Sequence, residues 1–140
     1  MRIVVSACLL GENCKYSGGN NENKAVLNFV KDHEIIPVCP EVLGGLPVPR
    51  MSAEIVNGVV RCRDGRSVDD AFRSGAAKAL TIALKEKADM AILQSRSPSC
   101  GVKAVYDGTF SGKIIPGEGV FAALLRENGI RAIDAADIDV

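Results

Sequence analysis

The chain has 140 residues, 47% of them apolar and 24% charged, which suits one globular domain and is near the average composition of soluble proteins. It carries 17 Lys and Arg and 17 Asp and Glu, so the zero formal charge excludes bulk attraction to phosphate as the basis of recognition. No apolar run reaches the roughly 18 residues of a membrane span, and the apolar content excludes a disordered chain.

The N-terminus needs separate attention because residues 5–8 (VSAC) are similar to the small-residue box before a lipoprotein cysteine. Only residues 3–5 form an apolar stretch before it, whereas a signal peptide needs about 7–15 apolar residues. We therefore expect a cytoplasmic protein. In that reducing compartment we do not expect the five cysteines to form a disulfide framework, which leaves small buried side chains or ligands as their roles.

Strand and helix patterns alternate along the chain. Contiguous β-branched or apolar residues predict strands, and apolar residues at steps of three and four predict helices. In chain order we predict a strand at 2–7, a helix at 24–31, a strand at 34–38, a rigid Pro/Gly loop at 39–50, a hairpin at 54–61, a helix at 67–87, a strand at 89–93, a short turn at 105–110, a helix at 117–128 and a strand at 130–133.

This alternation predicts an α/β fold. We expect a single domain over residues 1–140. It should be a three-layer Rossmann-like domain with a mostly parallel sheet of about four strands and an inserted β-hairpin. The hairpin prediction rests on Asn57-Gly58 between two β-rich runs, because this pair favours a type I′ turn.

Three cysteines, Cys8, Cys39 and Cys100, each follow a predicted strand. Parallel strands present their carboxyl ends at one edge of the sheet, where open α/β folds bind ligands. Three thiolates there suit zinc or an iron–sulfur cluster with one iron lacking a protein ligand. A structural zinc site normally takes four ligands, often in close pairs, and Cys14 is the candidate for a fourth. Spacing alone leaves zinc, a cluster and buried structural thiols open.

The remaining thiols and the only histidine have simpler interpretations. Cys62 shares a hairpin face with Val60 and is predicted to be a buried structural residue. Cys14 is predicted to be a partly exposed loop thiol. His33 is predicted on the surface. A Ser–His or Cys–His nucleophilic pair is therefore not favoured. No phosphate-binding glycine motif follows a strand, which argues against nucleotide binding.

Groups suited to proton chemistry and ligand binding lie close to these cysteines in sequence. Glu41 can exchange protons beside a low-dielectric site, and Ser97 or Ser99 can donate to a developing anion. Arg50 and Arg96 can orient an anionic or carbonyl-bearing ligand. Each also has an ordinary structural interpretation: a solvated carboxylate, a serine that stabilises a proline turn, or a solvated arginine.

Four sequence blocks together resemble the signature of the thiouracil desulfidase family. They are residues 5–11 (VSACLLG), 37–41 (PVCPE), 45–50 (GLPVPR) and 96–101 (RSPSCG), and the resemblance extends over nearly the whole chain. Residues 15–18 (KYSG) and 51–52 (MS) depart from the common family pattern, which leaves the shape of the substrate open.

The resemblance implies an iron–sulfur-cluster-dependent desulfidase that removes sulfur from a thiolated pyrimidine such as 2-thiouracil, giving uracil and hydrosulfide. It implies an oxygen-sensitive [4Fe–4S] cluster held by Cys8, Cys39 and Cys100, with one open iron. It also implies proton-handling roles for Glu41 and Ser97.

The expected partner is therefore a small molecule. Some family members with additional domains act on thiolated tRNA; this chain's neutral charge argues against nucleic acid, no membrane contact is expected, and the sequence does not indicate an oligomeric state. Two alternatives stay open: a non-catalytic zinc- or iron–sulfur-binding module for metal or sulfide handling, and a thiol redox protein with Cys8 and Cys14 as a switch pair.

Overall fold

The computed structural model describes residues 1–138. Among these residues no helix has the length and apolar character required to traverse a membrane. In chain order the strands are β1 (Arg2–Ser6), β2 (Glu34–Val38), β3 (Ala53–Val56), β4 (Val59–Cys62), β5 (Met90–Leu93), β6 (Ala104–Tyr106), β7 (Ile114–Pro116) and β8 (Arg131–Asp134), and the helices are α1 (Lys24–Val30), α2 (Pro40–Leu43), α3 (Asp69–Lys85) and α4 (Val120–Glu127).

The central sheet contains four parallel strands in the order β2-β1-β5-β8. The two central strands, β1 and β5, are short and largely buried, as expected for a sheet that is covered on both faces. This arrangement confirms the predicted α/β fold class with its four-stranded parallel sheet. It also places the carboxyl ends of β1, β2 and β5 side by side.

Alternate side chains of β1 point into two separate apolar cores. Ile3 and Val5 belong to the core beneath α1, whereas Val4 packs with Phe72 of α3 and Phe121 of α4. All five side chains are buried, and each such burial contributes about 1.5–3 kcal/mol. The helices therefore form a layer on each side of the sheet, as predicted.

The inserted hairpin β3–β4 turns at the predicted residues. Asn57 and Gly58 have φ angles of +50° and +80°, and both central positions of a type I′ turn require positive φ. The strands pair antiparallel from Val56 and Val59 outward.

Two loop predictions need correction. Residues 39–50 are not a continuous loop, because α2 occupies Pro40–Leu43. Pro40 stands at the first helical position, where its missing N–H costs nothing. Residues 105–110 are not only a short turn: β6 pairs antiparallel with β7. The strand β7 was not predicted because its three residues are all exposed. It therefore lacks the alternation of apolar and polar residues that identifies a half-buried strand.

Helix α2 packs on α3 with direct contact between their backbones. A Cβ added at Gly75 would lie 1.7 Å from the carbonyl oxygen of Pro40, and one added at Gly44 would lie 2.0 Å from the carbonyl oxygen of Ala71. Only glycine permits this approach. The contact fixes the position of α2, whose first turn carries Glu41.

Gly75→Ala is expected to lower the free energy of unfolding by about 1–3 kcal/mol, the usual cost of overpacking. This loss should appear although alanine favours a helix over glycine by about 1 kcal/mol. Urea unfolding, followed by circular dichroism, measures it. Ser74→Ala, at an exposed neighbouring position of α3, serves as the control and should change stability by less than about 0.5 kcal/mol. A Gly75→Ala protein as stable as the wild type would contradict the close backbone contact between α2 and α3.

Candidate active site

The carboxyl edge of the sheet opens into a cavity of about 690 Å³. Cys8, Cys39 and Cys100 all line it, although up to 92 positions separate them in the sequence. The parallel topology therefore brings the three predicted ligands to one space, as expected for residues that follow neighbouring strands.

A different local structure positions each of these three thiols. Cys8 lies in a 3₁₀ helix, Ala7–Leu10, that continues directly from β1. Cys39 is the N-cap residue of α2 at the end of β2. Cys100 follows β5 in an irregular loop. Cys8 and Cys100 are buried and Cys39 is half-buried.

Helix α4 holds the Cys100 loop in place. The backbone N–H of Val120 donates to the carbonyl of Pro98, and that of Phe121 donates to the carbonyl of Ser99, both at 2.8 Å. These bonds use amides that a helix N-terminus otherwise leaves unpaired. A Cβ at Gly119 would lie 2.4 Å from the carbonyl carbon of Ser99, so the loop and the helix start are in close contact.

Polar groups surround the thiols. Asn21 Nδ2 donates to Cys8 Sγ at 3.5 Å, and Ser99 Oγ donates to Cys100 Sγ at 3.7 Å. Cys39 Sγ donates to the carbonyl of Cys14 at 3.8 Å. N–H and O–H donors to sulfur are the groups that orient and tune thiolate ligands in metal sites.

The thiols in this cavity are hard to ionise without a cation. Burial raises the pKa of Cys8, and burial together with the nearby Glu41 raises the pKa of Cys100 to about 12. Coordination to a metal deprotonates a thiol outright. The cavity therefore favours neutral thiols at neutral pH until a positively charged centre binds.

Two further cysteines line the same cavity. Cys14 is half-buried, which agrees with its predicted place in a loop. Burial and the neighbouring Cys39 raise the pKa of Cys14 to about 12. Cys62 is 3% exposed, which confirms that it is buried, and Arg66 Nη2 lies 3.8 Å from its sulfur.

Glu41 is not a solvated loop carboxylate. It lies in the first turn of α2 with its side chain only 17% exposed, and its Oε2 is 3.4 Å from Nη2 of Arg50. Burial raises the pKa of Glu41, while the Arg50 guanidinium and a hydrogen bond from Ser99 oppose the increase. Glu41 is thus a buried carboxylate next to the thiols, with an anchored orientation.

The two serines of the Cys100 loop have different surroundings. Ser97 Oγ accepts hydrogen bonds from the backbone N–H groups of Ser99 and Cys100, both at 3.1 Å. It therefore stabilises the proline turn, and it also lines the cavity. Ser99 is fully buried, and its hydroxyl lies 3.1 Å from that of Ser97. Ser99 thus lies between the Ser97 hydroxyl and the Cys100 thiol.

The two arginines and the histidine also differ in their surroundings. Arg50 is buried beside Glu41, whereas Arg96 lines the cavity from an exposed position. His33 lies near the opposite edge of the sheet, where its Nδ1 is 3.1 Å from the amino group of Met1. It takes no part in the cavity.

Sequence reasoning missed Ser6 and Asn21, which both contact the thiols. Ser6 is buried at the end of β1, where its hydroxyl accepts a hydrogen bond from the N–H of Gln94 at 3.0 Å and opposes the rise in the pKa of Cys100. A polar residue that ends an apolar strand is a signal that could have revealed it. Asn21 lies in a polar, irregular segment, and no local pattern distinguishes it from its neighbours.

The three predicted ligand thiols line one cavity. Within residues 1–138 no three His, Cys, Asp or Glu side chains converge closely enough to bind one metal ion. A mononuclear zinc site needs its sulfur ligands about 2.3 Å from a common centre. A four-iron cluster binds each thiolate at a different iron, so its ligands lie further apart. The donor set of three thiols around a cavity fits a cluster.

Fold and site together define a class: α/β proteins with three sheet-edge cysteines around one cavity. Residues 3–137 match the family described as 2-thiouracil desulfurase, and the chain belongs to that family, which confirms the resemblance found in the sequence. It is 38% identical over 147 aligned positions to the uncharacterized protein YbbK of Bacillus subtilis (strain 168), covering 98% of this chain and 97% of that protein. Its fold matches the solved structure of the [4Fe-4S]-dependent thiouracil desulfidase TudS with a TM-score of 0.92 at 37% identity, covering 98% of this chain and 92% of that one.

Proposed function

We propose that this protein is a [4Fe–4S]-dependent desulfidase that hydrolyses the thiocarbonyl of a 2-thiouracil-like pyrimidine to uracil and hydrosulfide. The observation that carries the proposal is the meeting of Cys8, Cys39 and Cys100 at one cavity beside the buried carboxylate of Glu41. Membership of the 2-thiouracil desulfurase family and the similarity to TudS support it.

Cys8, Cys39 and Cys100 are the residues that would hold the cluster. When bound, the cluster supplies a soft Lewis acid with one iron free of protein ligands, suited to a sulfur atom of the substrate. The hydrogen bonds from Asn21 and Ser99 to two of these sulfurs would stabilise them as thiolates.

The protein's own groups would handle the protons of the reaction. Glu41 would accept the proton of the water whose oxygen bonds to the thiocarbonyl carbon. Ser97, whose hydroxyl lines the cavity, would donate a hydrogen bond to the ring nitrogen or to the developing negative charge. Ser99, whose hydroxyl lies 3.1 Å from that of Ser97 and donates to Cys100 Sγ, would hold Ser97 beside the cluster ligands.

The overall reaction transfers no electrons. One C–O bond forms and the C–S bond breaks, so that C=S and water become C=O, hydrosulfide and a proton. The site therefore needs a group that exchanges protons but no external reductant. The buried Glu41 is suited to this role since its protonation is governed by its surroundings.

Turnover by anaerobically reconstituted protein tests the proposal. We expect equimolar uracil and sulfide from 2-thiouracil, measured by chromatography and by a colorimetric sulfide assay, with cluster-free protein as the control. Four iron atoms per chain should accompany a broad visible absorbance. One equivalent of zinc, with neither absorbance nor turnover, would favour the non-catalytic metal- or sulfide-handling module instead.

A further inference from the structure

Arg50 is an unusual arginine because its side chain is only 7% exposed, whereas arginine is seldom buried unless paired. Its guanidinium binds three separate parts of the chain. Nη1 donates to the carbonyl of Pro47 at 3.1 Å, and Nη2 donates to the carbonyl of Cys14 at 3.1 Å. The same Nη2 lies 3.4 Å from Oε2 of Glu41. Its donors are thus directed at the protein itself.

The backbone of Arg50 strengthens one of these connections. Its N–H donates to the carbonyl of Tyr16 at 2.7 Å. Two bonds therefore join Arg50 to the irregular segment that contains Cys14 and lies over the cavity. The segment that contains Pro47 and Arg50 is itself irregular and follows α2. One side chain thus joins two irregular segments to the helix that carries Glu41.

Lysine could not make the same set of contacts. The guanidinium is a planar fork with five donors, whereas the lysine ammonium is a compact point charge on a flexible stem. The guanidinium can direct separate N–H groups at the two carbonyls and at the carboxylate, which lie in different directions. Because the group is buried, its charge also needs Glu41 as the paired anion.

We infer that Arg50 is the positioning residue of this site: it holds the Glu41 carboxylate and the Cys14 segment in one fixed geometry. In this role Arg50 is neither a solvated arginine nor primarily a group that orients the ligand, the two interpretations that the sequence leaves open. The inference rests on the proposed function where it concerns catalysis through Glu41. Where it concerns the Cys14 segment, it is independent of that function.

A double-mutant cycle tests the part that acts through Glu41. In the cluster-loaded protein, Arg50→Lys should lower kcat roughly 10–100-fold, the scale of a small misplacement of a reacting group, with KM nearly unchanged and the iron content intact. In a Glu41→Gln background the same change should cost almost nothing more, because residues that act as a unit are not additive. Arg73→Lys is the matched control, since Arg73 is an exposed arginine paired with Asp69, and it should leave kcat unchanged.

Alkylation of the cluster-free protein tests the part that concerns the Cys14 segment. Iodoacetamide should modify Cys14 several-fold faster in Arg50→Lys than in the wild type, while the buried Cys100 reacts at the same rate in both. Trypsin releases Cys14 with Cys8 in residues 3–15 and Cys100 in residues 97–103. Fragment spectra then distinguish Cys14 from Cys8.

The possible outcomes separate the two proposals. A wild-type protein that loads iron but does not turn over 2-thiouracil overturns the proposed function, and the alkylation result then decides on Arg50. If Arg50→Lys lowers kcat equally in the wild-type and Glu41→Gln backgrounds, or if its loss of kcat is explained by lost iron, Arg50 does not act through Glu41. An unchanged Cys14 alkylation rate overturns the role in the Cys14 segment. If Arg50→Lys does not fold, Arg50→Gln replaces it in both experiments.

Discussion

Cys39→Ser is expected to remove both the visible absorbance of the cluster and the turnover of 2-thiouracil. Serine offers a harder and much less acidic ligand than cysteine, and the proposed ligand set contains only three thiols. Cys39 also links two elements, since it follows β2 and is the N-cap residue of α2. With two thiolates left, the cluster would lose one of its three anchors, and its assembly should fail.

Iron content, the absorption spectrum and activity, all measured without oxygen, check this expectation. Cys62→Ala is the matched control because Cys62 is a buried cysteine that ends β4 and is outside the proposed ligand set. Its iron content should stay near that of the wild type, although its stability should fall somewhat from lost packing. Full turnover by Cys39→Ser would disprove the ligand assignment.

Glu41→Gln is expected to keep the cluster and to lower kcat by about 10²–10⁴-fold, the usual contribution of a general acid or base. Glutamine has nearly the same shape, and its Oε1 can still accept a hydrogen bond from Arg50. The substitution therefore removes proton exchange while it preserves the contacts of α2. Loss of activity with a normal spectrum would identify a chemical role rather than a structural one.

Steady-state kinetics of the reconstituted variant, normalised to iron content, give the measurement. Glu118→Gln serves as the control, since Glu118 forms a surface ion pair with Arg126 and such pairs contribute little. Its kcat should match that of the wild type. An unchanged kcat in Glu41→Gln would exclude Glu41 as the proton-handling group and would direct attention to Ser97 and Ser99.

The sheet and the position of the cysteines could be predicted because both depend on local pattern and topology. Runs such as residues 3–5 and 90–93 are strongly apolar, and a parallel α/β sheet has one carboxyl edge. Once the strands are assigned, Cys8, Cys39 and Cys100 must follow three of them, whatever their separation in the chain.

The partners of Glu41 could not be predicted because they depend on tertiary packing. Ser99 lies 58 positions further along the chain and reaches Glu41 only because α4 fixes its loop. The helix α2 itself was predictable in retrospect, since Pro40 at the first helical position and Glu41 in the first turn are typical of a helix start. At four residues it lacks the periodicity that identifies longer helices.

The crossing of α2 and α3 has a consequence for engineering. Replacement of helical glycines by alanine is a common change for obtaining a more heat-resistant protein, because at compatible sites it usually adds stability. At Gly75 this routine choice would push away the segment that carries Glu41. Thermostabilising libraries should therefore keep Gly44 and Gly75 fixed and vary the solvent-facing positions of α3 instead.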